Sequence, residues 1–269
     1  MISEHIGRVF VHLCDRAARG LLRAGLRPNH ITLLGMLFTV AAGGAIAGGP
    51  SAWHTWALGF LVAAGACDLL DGTMAELGRL HTRLGAVLDS ACDRVSDAAL
   101  YFGPVGYLVL CPVDLGVGGR PNLTLIVLAC AGLLWAYLTS YIRARAENVG
   151  IAADGGFWQR PERVVTILLG VACHNLATAL WMLGVLPATT VVHRMWRVWR
   201  SDHAATGGAA PASALQPRGL AAVVLWRWDR GTLPFDLYAT AMILALVFVD
   251  VPVVDPLRRL LEAWFGVGA

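Results

Sequence analysis

The most constraining feature of the sequence is a run of forty residues, Pro28 to Cys67, that contains no Asp, Glu, Lys or Arg. A helix crosses the hydrocarbon core of a bilayer with about 20 apolar residues, so this run is long enough for two crossings. The segment GGPSAWHT, residues 48–55, supplies turn residues between them. Only 14% of the chain is charged, against roughly 25% in a soluble domain. The sequence therefore predicts an integral membrane protein.

Further apolar segments extend this pattern into an all-α integral membrane bundle of six transmembrane helices. The 21 basic residues are all arginine, and they cluster before the first span and after the second, fourth and sixth. By the positive-inside rule the N-terminus and these loops are cytoplasmic, which predicts a multi-pass protein of the cytoplasmic membrane. A net charge of +3 gives no indication of nucleic-acid binding. The predicted spans are residues 30–49, 53–76, 84–111, 121–147, 160–173 and 176–199.

The two ends of the chain differ from the central bundle, residues 29–200. Residues 1–28 carry apolar side chains at helical spacing with arginines between them, which predicts an amphipathic helix on the membrane surface or one packed on the bundle. Residues 201–219 have the composition of a linker. The tail, residues 220–269, contains an uncharged run of only 13 residues, 237–249. That is short for a span, so the tail is predicted to hold an extra membrane helix or an interfacial one.

Two pairs of aspartates lie where the second and third predicted spans meet the cytoplasm. Asp68 and Asp71 are three residues apart and Asp89 and Asp93 are four apart, so each pair shares a helix face. One carboxylate inside a bilayer costs about 2.5–3.5 kcal/mol, so four of them require compensation. Four facing carboxylates suit two Mg²⁺ or Mn²⁺ ions, in the arrangement that stabilises displacement at phosphorus. Ion pairing with nearby arginines is the alternative, and it accounts for one or two carboxylates rather than four in register.

The spacing D-x2-D-G-x2-A-x9-G-x3-D-x3-D resembles the signature of the CDP-alcohol phosphotransferases. The resemblance implies a six-helix membrane enzyme, usually a homodimer, that transfers a substituted phosphate group from a CDP-linked donor to an alcohol and releases CMP. It implies that Asp68, Asp71 and Asp89 bind the metal ions. It also implies that Asp93 is both a metal ligand and the base that deprotonates the acceptor hydroxyl, a role that requires hydrogen-bond reach of that hydroxyl. The motif stands here at Asp68, Asp71, Gly72, Ala75, Gly85, Asp89 and Asp93.

The same resemblance implies a binding site for the donor beside these carboxylates. Gly72 and Gly85 leave room for a nucleotide to lie against the backbone. The donor-binding residues that the resemblance implies are Asn29, Thr32, Gly72, Ala75, Glu76, Thr82 and Gly85.

One position departs from the family pattern. The family has Arg directly after the position of Ala75, and this chain has Glu76. That Arg would face the CDP pyrophosphate, so Glu76 reverses a favourable charge. Arg79 and Arg83 lie one or two helical turns further on, and either is a candidate replacement.

A second group of polar residues lies at the predicted cytoplasmic ends of spans four, five and six. Several guanidiniums around a polar pocket suit a phosphate dianion, whereas positive-inside anchoring is the alternative interpretation. The stretches GAVLDSACDRVSD, SYIRARAE and DGGFWQRPER are similar to the actinobacterial phosphatidylinositol phosphate synthases of the family, which typically have Lys where Arg143 stands. This resemblance implies an inositol phosphate acceptor. The implied phosphate-binding residues are Ser140, Arg143, Arg160, Arg163 and Arg194.

These features predict an enzyme at the cytoplasmic face that moves the phosphatidyl group of CDP-diacylglycerol to a phosphorylated polyol, with inositol phosphate favoured, and releases CMP. The first alternative is a phosphatidylglycerol phosphate synthase, because glycerol 3-phosphate needs the same arginine pocket. The alternatives of another class are a non-catalytic family member, as Glu76 would indicate, and an ion-coupled carrier. A carrier would place its acidic residues near the bilayer midplane in broken helices, instead of at a cytoplasmic end.

Overall fold

The computed structural model shows an all-helical protein. Within the described part of the chain the one non-helical pairing is an isolated bridge between Val117 and Arg120. The all-α prediction is therefore confirmed. The structure describes residues 2–153, 155–205, 232–249, 251 and 253–265.

The chain divides into two compact units, Met1–Gly103 and Pro104–Ala269, and the boundary falls inside one long helix. Pro28 begins the second helix of the first unit, in the helical position where a missing N–H is tolerated. A turn of π-helix, Trp53–Ala57, leads into the fourth helix. The helices of the first unit are α1 (Ile2–Arg23), α2 (Pro28–Ala47), α3 (Pro50–Ala52), α4 (Leu58–Gly78) and the greater part of α5 (Arg83–Leu110).

Close backbone contacts hold α2 against α5 within the first unit. A Cβ atom added to Gly43 would lie 2.5 Å from the carbonyl oxygen of Ala99, and one added to Gly103 would lie 2.7 Å from the carbonyl oxygen of Gly43. Only glycine fits at such a crossing, as is usual between helices in membranes. Helix α4 packs along α2, and α1 packs on α4. The buried cluster that holds α1 contains Ala18, Ile31, Cys67 and Met74.

The helices of the second unit are α6 (Pro112–Leu115), α7 (Leu123–Asn148), α8 (Arg160–Ala172), α9 (Leu176–Val185), α10 (Ala188–Ala205), α11 (Leu233–Phe248) and α12 (Pro256–Phe265). The unit is built on α7, which packs along α9 and α10. Asn122 and Asn175 cap the N-termini of α7 and α9 by accepting hydrogen bonds from the backbone N–H groups of Leu125 and Thr178. The last two helices pack onto this group: α11 on α8 and α9, and α12 on α7.

Helices occupy the positions of all six predicted spans, but four of them are long and apolar enough to cross a membrane. Helix α5 carries Asp89, Asp93 and Asp97, and α8 has only 13 residues. The sixth predicted span falls on α9 and α10, which are separated by a turn at Leu186 and Pro187 and together form one candidate span. The four candidate spans among the described residues are Pro28–Ala47, Leu58–Gly78, Leu123–Asn148 and Leu176–His203. The protein is therefore an integral membrane protein.

The structure describes the predicted terminal segments of the chain only in part. Residues 2–23 form a helix, and the side chains of residues 2–11 lie outside what the structure describes. Residues 201–205, the start of the predicted linker, continue α10, and residues 206–231 lie outside the described residues. The tail holds α11 and α12.

Candidate active site

A cavity of about 750 Å³ lies within the first unit, where the start of α2, the second half of α4 and the start of α5 meet. Three carboxylates line it, and two basic side chains are added by His81 of the loop between α4 and α5 and by Arg83 at the start of α5. The predicted residues Asn29, Thr32, Asp68, Asp71, Gly72, Ala75, Thr82, Gly85 and Asp89 all line this cavity. The further lining residues are Pro28, Leu80, His81, Arg83 and Ala86.

Asp71 is held in place by a hydrogen bond from a neighbouring helix. It is half-buried, and the hydroxyl of Thr32 on α2 donates a 2.6 Å hydrogen bond to its Oδ2. Asp68 and Asp89 are exposed and lie close enough to interact electrostatically with Asp71. The cavity therefore brings three carboxylates together, and one of them, Asp71, is oriented by a hydrogen bond.

Asp93 lies one helical turn beyond Asp89 and is not among the described residues that line the cavity. It is half-buried, with its Oδ2 3.7 Å from the guanidinium of Arg94. The same guanidinium lies 3.7 Å from Oδ2 of Asp97, which is buried. Pairing with Arg94 thus compensates part of the charge of these two aspartates, as the alternative interpretation of the sequence expected.

The carboxylates fit a divalent metal by their chemistry. Among the described residues, no three His, Cys, Asp or Glu side chains stand close enough together to hold a metal ion by themselves. Mg²⁺, however, keeps several waters and takes one or two protein carboxylates together with substrate phosphates. Asp68, Asp71 and Asp89 supply hard oxygen ligands of that kind in one cavity.

The two glycines of the motif differ in their surroundings. A Cβ atom added to Gly72 would meet no atom within 4 Å, so this position opens directly into free space. A Cβ atom added to Gly85 would lie 2.9 Å from Oγ1 of Thr82 and 3.1 Å from Oδ1 of Asn29. Thr82 accepts a hydrogen bond from the backbone N–H of Gly85 and so caps the start of α5. Gly85 therefore lets two predicted donor-binding side chains approach the helix.

The charge reversal at Glu76 lies next to the cavity wall. Ala75 lines the cavity, whereas Glu76 and Arg79 are not among the described residues that do. Arg79 ends α4 in a left-handed conformation with φ 50°. Of the two candidate replacements for the family Arg, only Arg83 lines the cavity. The sequence interpretation missed His81, although its place in the loop between two aspartate-bearing helices was a usable signal.

The predicted acceptor residues lie in the second unit. Arg194 is buried, and its guanidinium donates to the carbonyl oxygens of Thr139, at 2.6 Å, and Gly155, at 3.2 Å. It thereby joins α7, α10 and the segment before α8. Arg163 is also buried and donates to the carbonyl oxygen of Trp158 at 3.2 Å.

The other three predicted acceptor residues are more accessible. Arg143 is exposed and forms a 2.8 Å ion pair with Glu147, one turn along α7. Ser140 is half-buried and donates to the carbonyl oxygen of Ala136. Arg160 is half-buried at the first position of α8. Arg194 thus contacts Thr139, the residue before Ser140. Arg143 pairs instead with the exposed Glu147.

The fold and the cavity define a helical membrane protein with a carboxylate-lined site suited to a divalent cation. Residues 26–196 match the family of CDP-alcohol phosphatidyltransferases. The chain belongs to this family, and the resemblance noted in the sequence is confirmed.

Curated relatives within the family are similar over most of their length. The phosphatidylinositol phosphate synthase of Mycobacterium tuberculosis (strain ATCC 25618 / H37Rv) is 37% identical over 219 residues, which cover 75% of this chain and 93% of the relative. The phosphatidylinositol phosphate synthase of Streptomyces avermitilis is 30% identical over 235 residues, covering 82% of this chain and 92% of the relative.

Solved structures of the Mycobacterium tuberculosis synthase share the fold. A crystal structure with CDP-DAG bound aligns with a TM-score of 0.62 at 30% identity, covering 77% of this chain and 99% of that one. A crystal structure in complex with manganese and citrate aligns with a TM-score of 0.60 at 30% identity, covering 77% and 93% of the two chains.

Proposed function

We propose that this protein is a phosphatidyltransferase that transfers the phosphatidyl group of CDP-diacylglycerol to inositol phosphate and releases CMP. The observation that carries the proposal is the cavity in which Asp68, Asp71 and Asp89 of the family motif lie together. The relatives named as phosphatidylinositol phosphate synthases support the choice of acceptor. The structure of one of them with CDP-DAG bound supports the choice of donor.

Two divalent ions, Mg²⁺ or Mn²⁺, would be held by Asp68, Asp71, Asp89 and Asp93. Such ions neutralise pyrophosphate charge and stabilise the leaving group. The crystal structure of the M. tuberculosis synthase in complex with manganese supports the use of a divalent metal. Thr32 orients the Asp71 carboxylate for this purpose through its 2.6 Å hydrogen bond.

Asp93 would take the proton from the acceptor hydroxyl at its carboxylate oxygen. The hydroxyl oxygen then forms the new bond to the β-phosphorus, and the bond between that phosphorus and the CMP oxygen breaks. Asp93 is half-buried and lies on α5 one turn beyond Asp89, which lines the cavity, and this position supports the role. A base must lie within hydrogen-bond reach of the proton that it removes.

The donor would bind in the cavity through Asn29, Thr32, Gly72, Ala75, Thr82 and Gly85, with Glu76 beside them. The open space over Gly72 supports close approach of a nucleotide to the backbone of α4. Arg83 would supply the positive charge that the family places at position 76, because it lines the cavity.

The acceptor phosphate would bind to Ser140, Arg143, Arg160, Arg163 and Arg194. The burial of Arg163 and Arg194 supports a role in fixing this region, since a buried guanidinium holds its geometry through hydrogen bonds. Glycerol 3-phosphate is the rival acceptor, because it carries the same phosphate group.

In the membrane, residues 29–200 would form the catalytic domain with six spans and the active site at the cytoplasmic face. Residues 1–28 would lie on that surface of the bilayer. A depression lined by His12, Arg16, Arg19 and Arg23, together with the packing of Ala18 on α4, supports this placement of α1. Residues 201–219 would be a linker to the tail, residues 220–269, and the enzyme would be a homodimer.

The proposal is tested with purified protein, CDP-diacylglycerol, inositol phosphate and either Mg²⁺ or Mn²⁺. We expect CMP and a phosphatidylinositol phosphate lipid in equal amounts, identified by mass spectrometry. The reaction should stop with a chelator and in the Asp71→Asn variant. CMP release that persists in both conditions would contradict a metal site at these carboxylates.

A further inference from the structure

The C-terminal segment, α11 and α12, lies outside the region that matches the family, residues 26–196. Its start is held near the beginning of α8. The ring of Phe157 lies 5.1 Å from that of Phe235 and 4.5 Å from that of Tyr238, centroid to centroid. Phe157 precedes α8, so the first turns of α11 lie at the end where α8 begins.

The other end of α11 is held at the end where α8 stops and α9 begins. The side-chain amide of Asn175 donates to the carbonyl oxygens of Leu246, at 3.1 Å, and Val249, at 2.8 Å. The hydroxyl of Thr178 donates to the same oxygen of Val249 at 2.9 Å. These bonds satisfy carbonyl groups that the end of a helix leaves without intrahelical partners. Helix α11 therefore runs beside α8 in the same direction.

The segment after α11 is fixed to the start of α7. The buried carboxylate of Asp255 accepts hydrogen bonds from the backbone N–H groups of Leu123, at 2.9 Å, and Thr124, at 3.0 Å. The hydroxyl of Thr124 donates to it at 2.6 Å. Arg258 donates to the carbonyl oxygen of Pro121 at 2.6 Å. Helix α12 thus begins at the N-terminal end of α7.

The length and the apolar surface of helix α11 suit a short transmembrane helix. Its 16 residues correspond to a length of about 24 Å, and the 13-residue α8 beside it is shorter still. Short spans are accommodated by local thinning of the bilayer. Its outer surface is apolar and exposed, as at Leu237, Leu244 and Phe248.

Helix α12 is amphipathic. Leu260, Leu261 and Trp264 are exposed and lie on one face by their spacing, and Trp264 is 81% exposed. Arg259 and Glu262 occupy the opposite side of the helix. A helix with this pattern lies in the plane of a lipid interface, where tryptophan side chains are enriched.

We propose that α11 is a seventh transmembrane helix and that α12 is anchored in the lipid interface at the end of the bundle where α7 and α9 begin. The occupant of the apolar face is lipid, because the residues that lead into α12, Phe248, Val249 and Val253, are exposed apolar side chains as well. This end lies opposite the arginines at the end of α7 and the start of α8, so it is extracytoplasmic by the positive-inside rule. The inference rests on the proposed six-span arrangement.

The crossing is tested by reporter fusions to the full chain after Ala269 and, as the control, after Ala205. Alkaline phosphatase is active only outside the cytoplasm, and green fluorescent protein matures only inside it. We expect phosphatase activity after Ala269 and fluorescence after Ala205. The same side for both fusions would overturn the seventh span. An inverted pair of signals would leave α11 as a crossing helix and would overturn the orientation of the six-span arrangement.

The anchor is tested with the full-length protein in vesicles whose phospholipids carry bromine near the headgroup or near the bilayer centre. The part of the tryptophan emission that comes from Trp264 is the part lost in Trp264→Phe. We expect bromine near the headgroup to quench this emission more strongly than bromine near the bilayer centre. Emission quenched by neither lipid would overturn the anchor. A change of oligomeric state in Trp264→Arg would also overturn it, because it would assign the face to a second copy of the chain.

Discussion

Thr32 on α2 and Asp71 on α4 are joined by a 2.6 Å hydrogen bond at the wall of the cavity. A hydrogen bond from a hydroxyl to an ionised carboxylate is stronger than a hydrogen bond between two neutral groups. The bond fixes the carboxylate that interacts with both Asp68 and Asp89. It therefore links the packing of two helices to the geometry of the site.

Replacing Thr32 with valine should weaken catalysis without unfolding the protein. Loss of an outer partner of a metal ligand costs about 10–100-fold in metal affinity or activity, so we expect a rise of that order in the Mn²⁺ concentration for half-maximal rate. The matched control is Thr39→Val, because Thr39 lies on the same helix and donates only to the carbonyl oxygen of Gly35. Equal effects of the two substitutions would show that the Thr32–Asp71 bond has no special role.

Replacing Gly72 with alanine should impair donor binding while leaving the fold intact. The added methyl group enters open space at the cavity, and alanine is favoured over glycine inside a helix by about 1 kcal/mol. We expect the KM for CDP-diacylglycerol to rise at least about tenfold, the scale on which small misplacements act.

The control for Gly72 is Gly44→Ala on α2, where an added Cβ atom also meets nothing within 4 Å. Thermal stability should be unchanged or higher in both variants, measured by the unfolding midpoint. Unchanged donor KM in Gly72→Ala would place the nucleotide away from α4.

Arg83 should carry the charge that compensates for Glu76. Neutralising it as Arg83→Gln removes a charge-assisted contact worth about 1.5–3 kcal/mol, so the donor KM should rise about 10–100-fold. Arg79→Gln is the matched control, because Arg79 is not among the described residues that line the cavity. A larger effect at Arg79 than at Arg83 would reverse this assignment.

Asp255 should make the attachment of the tail dependent on pH. Burial acts to raise its pKa, but hydrogen bonds from the Thr124 hydroxyl and from the backbone N–H groups of Leu123, Thr124 and Arg258 outweigh it and hold the pKa below the ordinary value of 3.8. Because the folded pKa is depressed, the stabilisation is complete above the ordinary pKa and is lost as pH falls through the folded value.

The corresponding measurement is thermal unfolding of wild type and Asp255→Asn between pH 7 and pH 3. We expect the variant to be less stable by about 1–3 kcal/mol at neutral pH, with the difference shrinking below about pH 4. Asp236→Asn, at an exposed site on α11, should change stability little. A difference that is constant down to pH 3 would contradict the role of the charge.

The carboxylate cavity was predictable because its information is local. The spacings of Asp68, Asp71 and Asp89 place each side chain on a known helix face, and both helices follow one another in the chain. The number of spans was harder to read, since α5 carries charges and α8 is short. The turn at Pro187 between α9 and α10 is also a local signal, although the two helices together form one candidate span.

The attachment of the tail was not predictable from local pattern. Asn175 and Val249 are 74 residues apart, and Thr124 and Asp255 are 131 apart. The local sequence around each residue does not identify the distant residue that it contacts. The pair Asp255–Pro256 does match a helix start, because an acidic cap followed by proline is typical of one. This local signal marks the start of α12, but it does not show where the helix docks.

The central claim is tested most directly by CMP release from CDP-diacylglycerol with Mn²⁺ or Mg²⁺ when inositol phosphate, glycerol 3-phosphate and free inositol are offered in parallel. The Asp93→Asn variant, checked for an unchanged unfolding midpoint, is the control. Our account predicts turnover with inositol phosphate alone and its loss in the variant. Turnover with glycerol 3-phosphate instead would assign the rival activity, and a folded protein that turns over no acceptor would contradict the catalytic account.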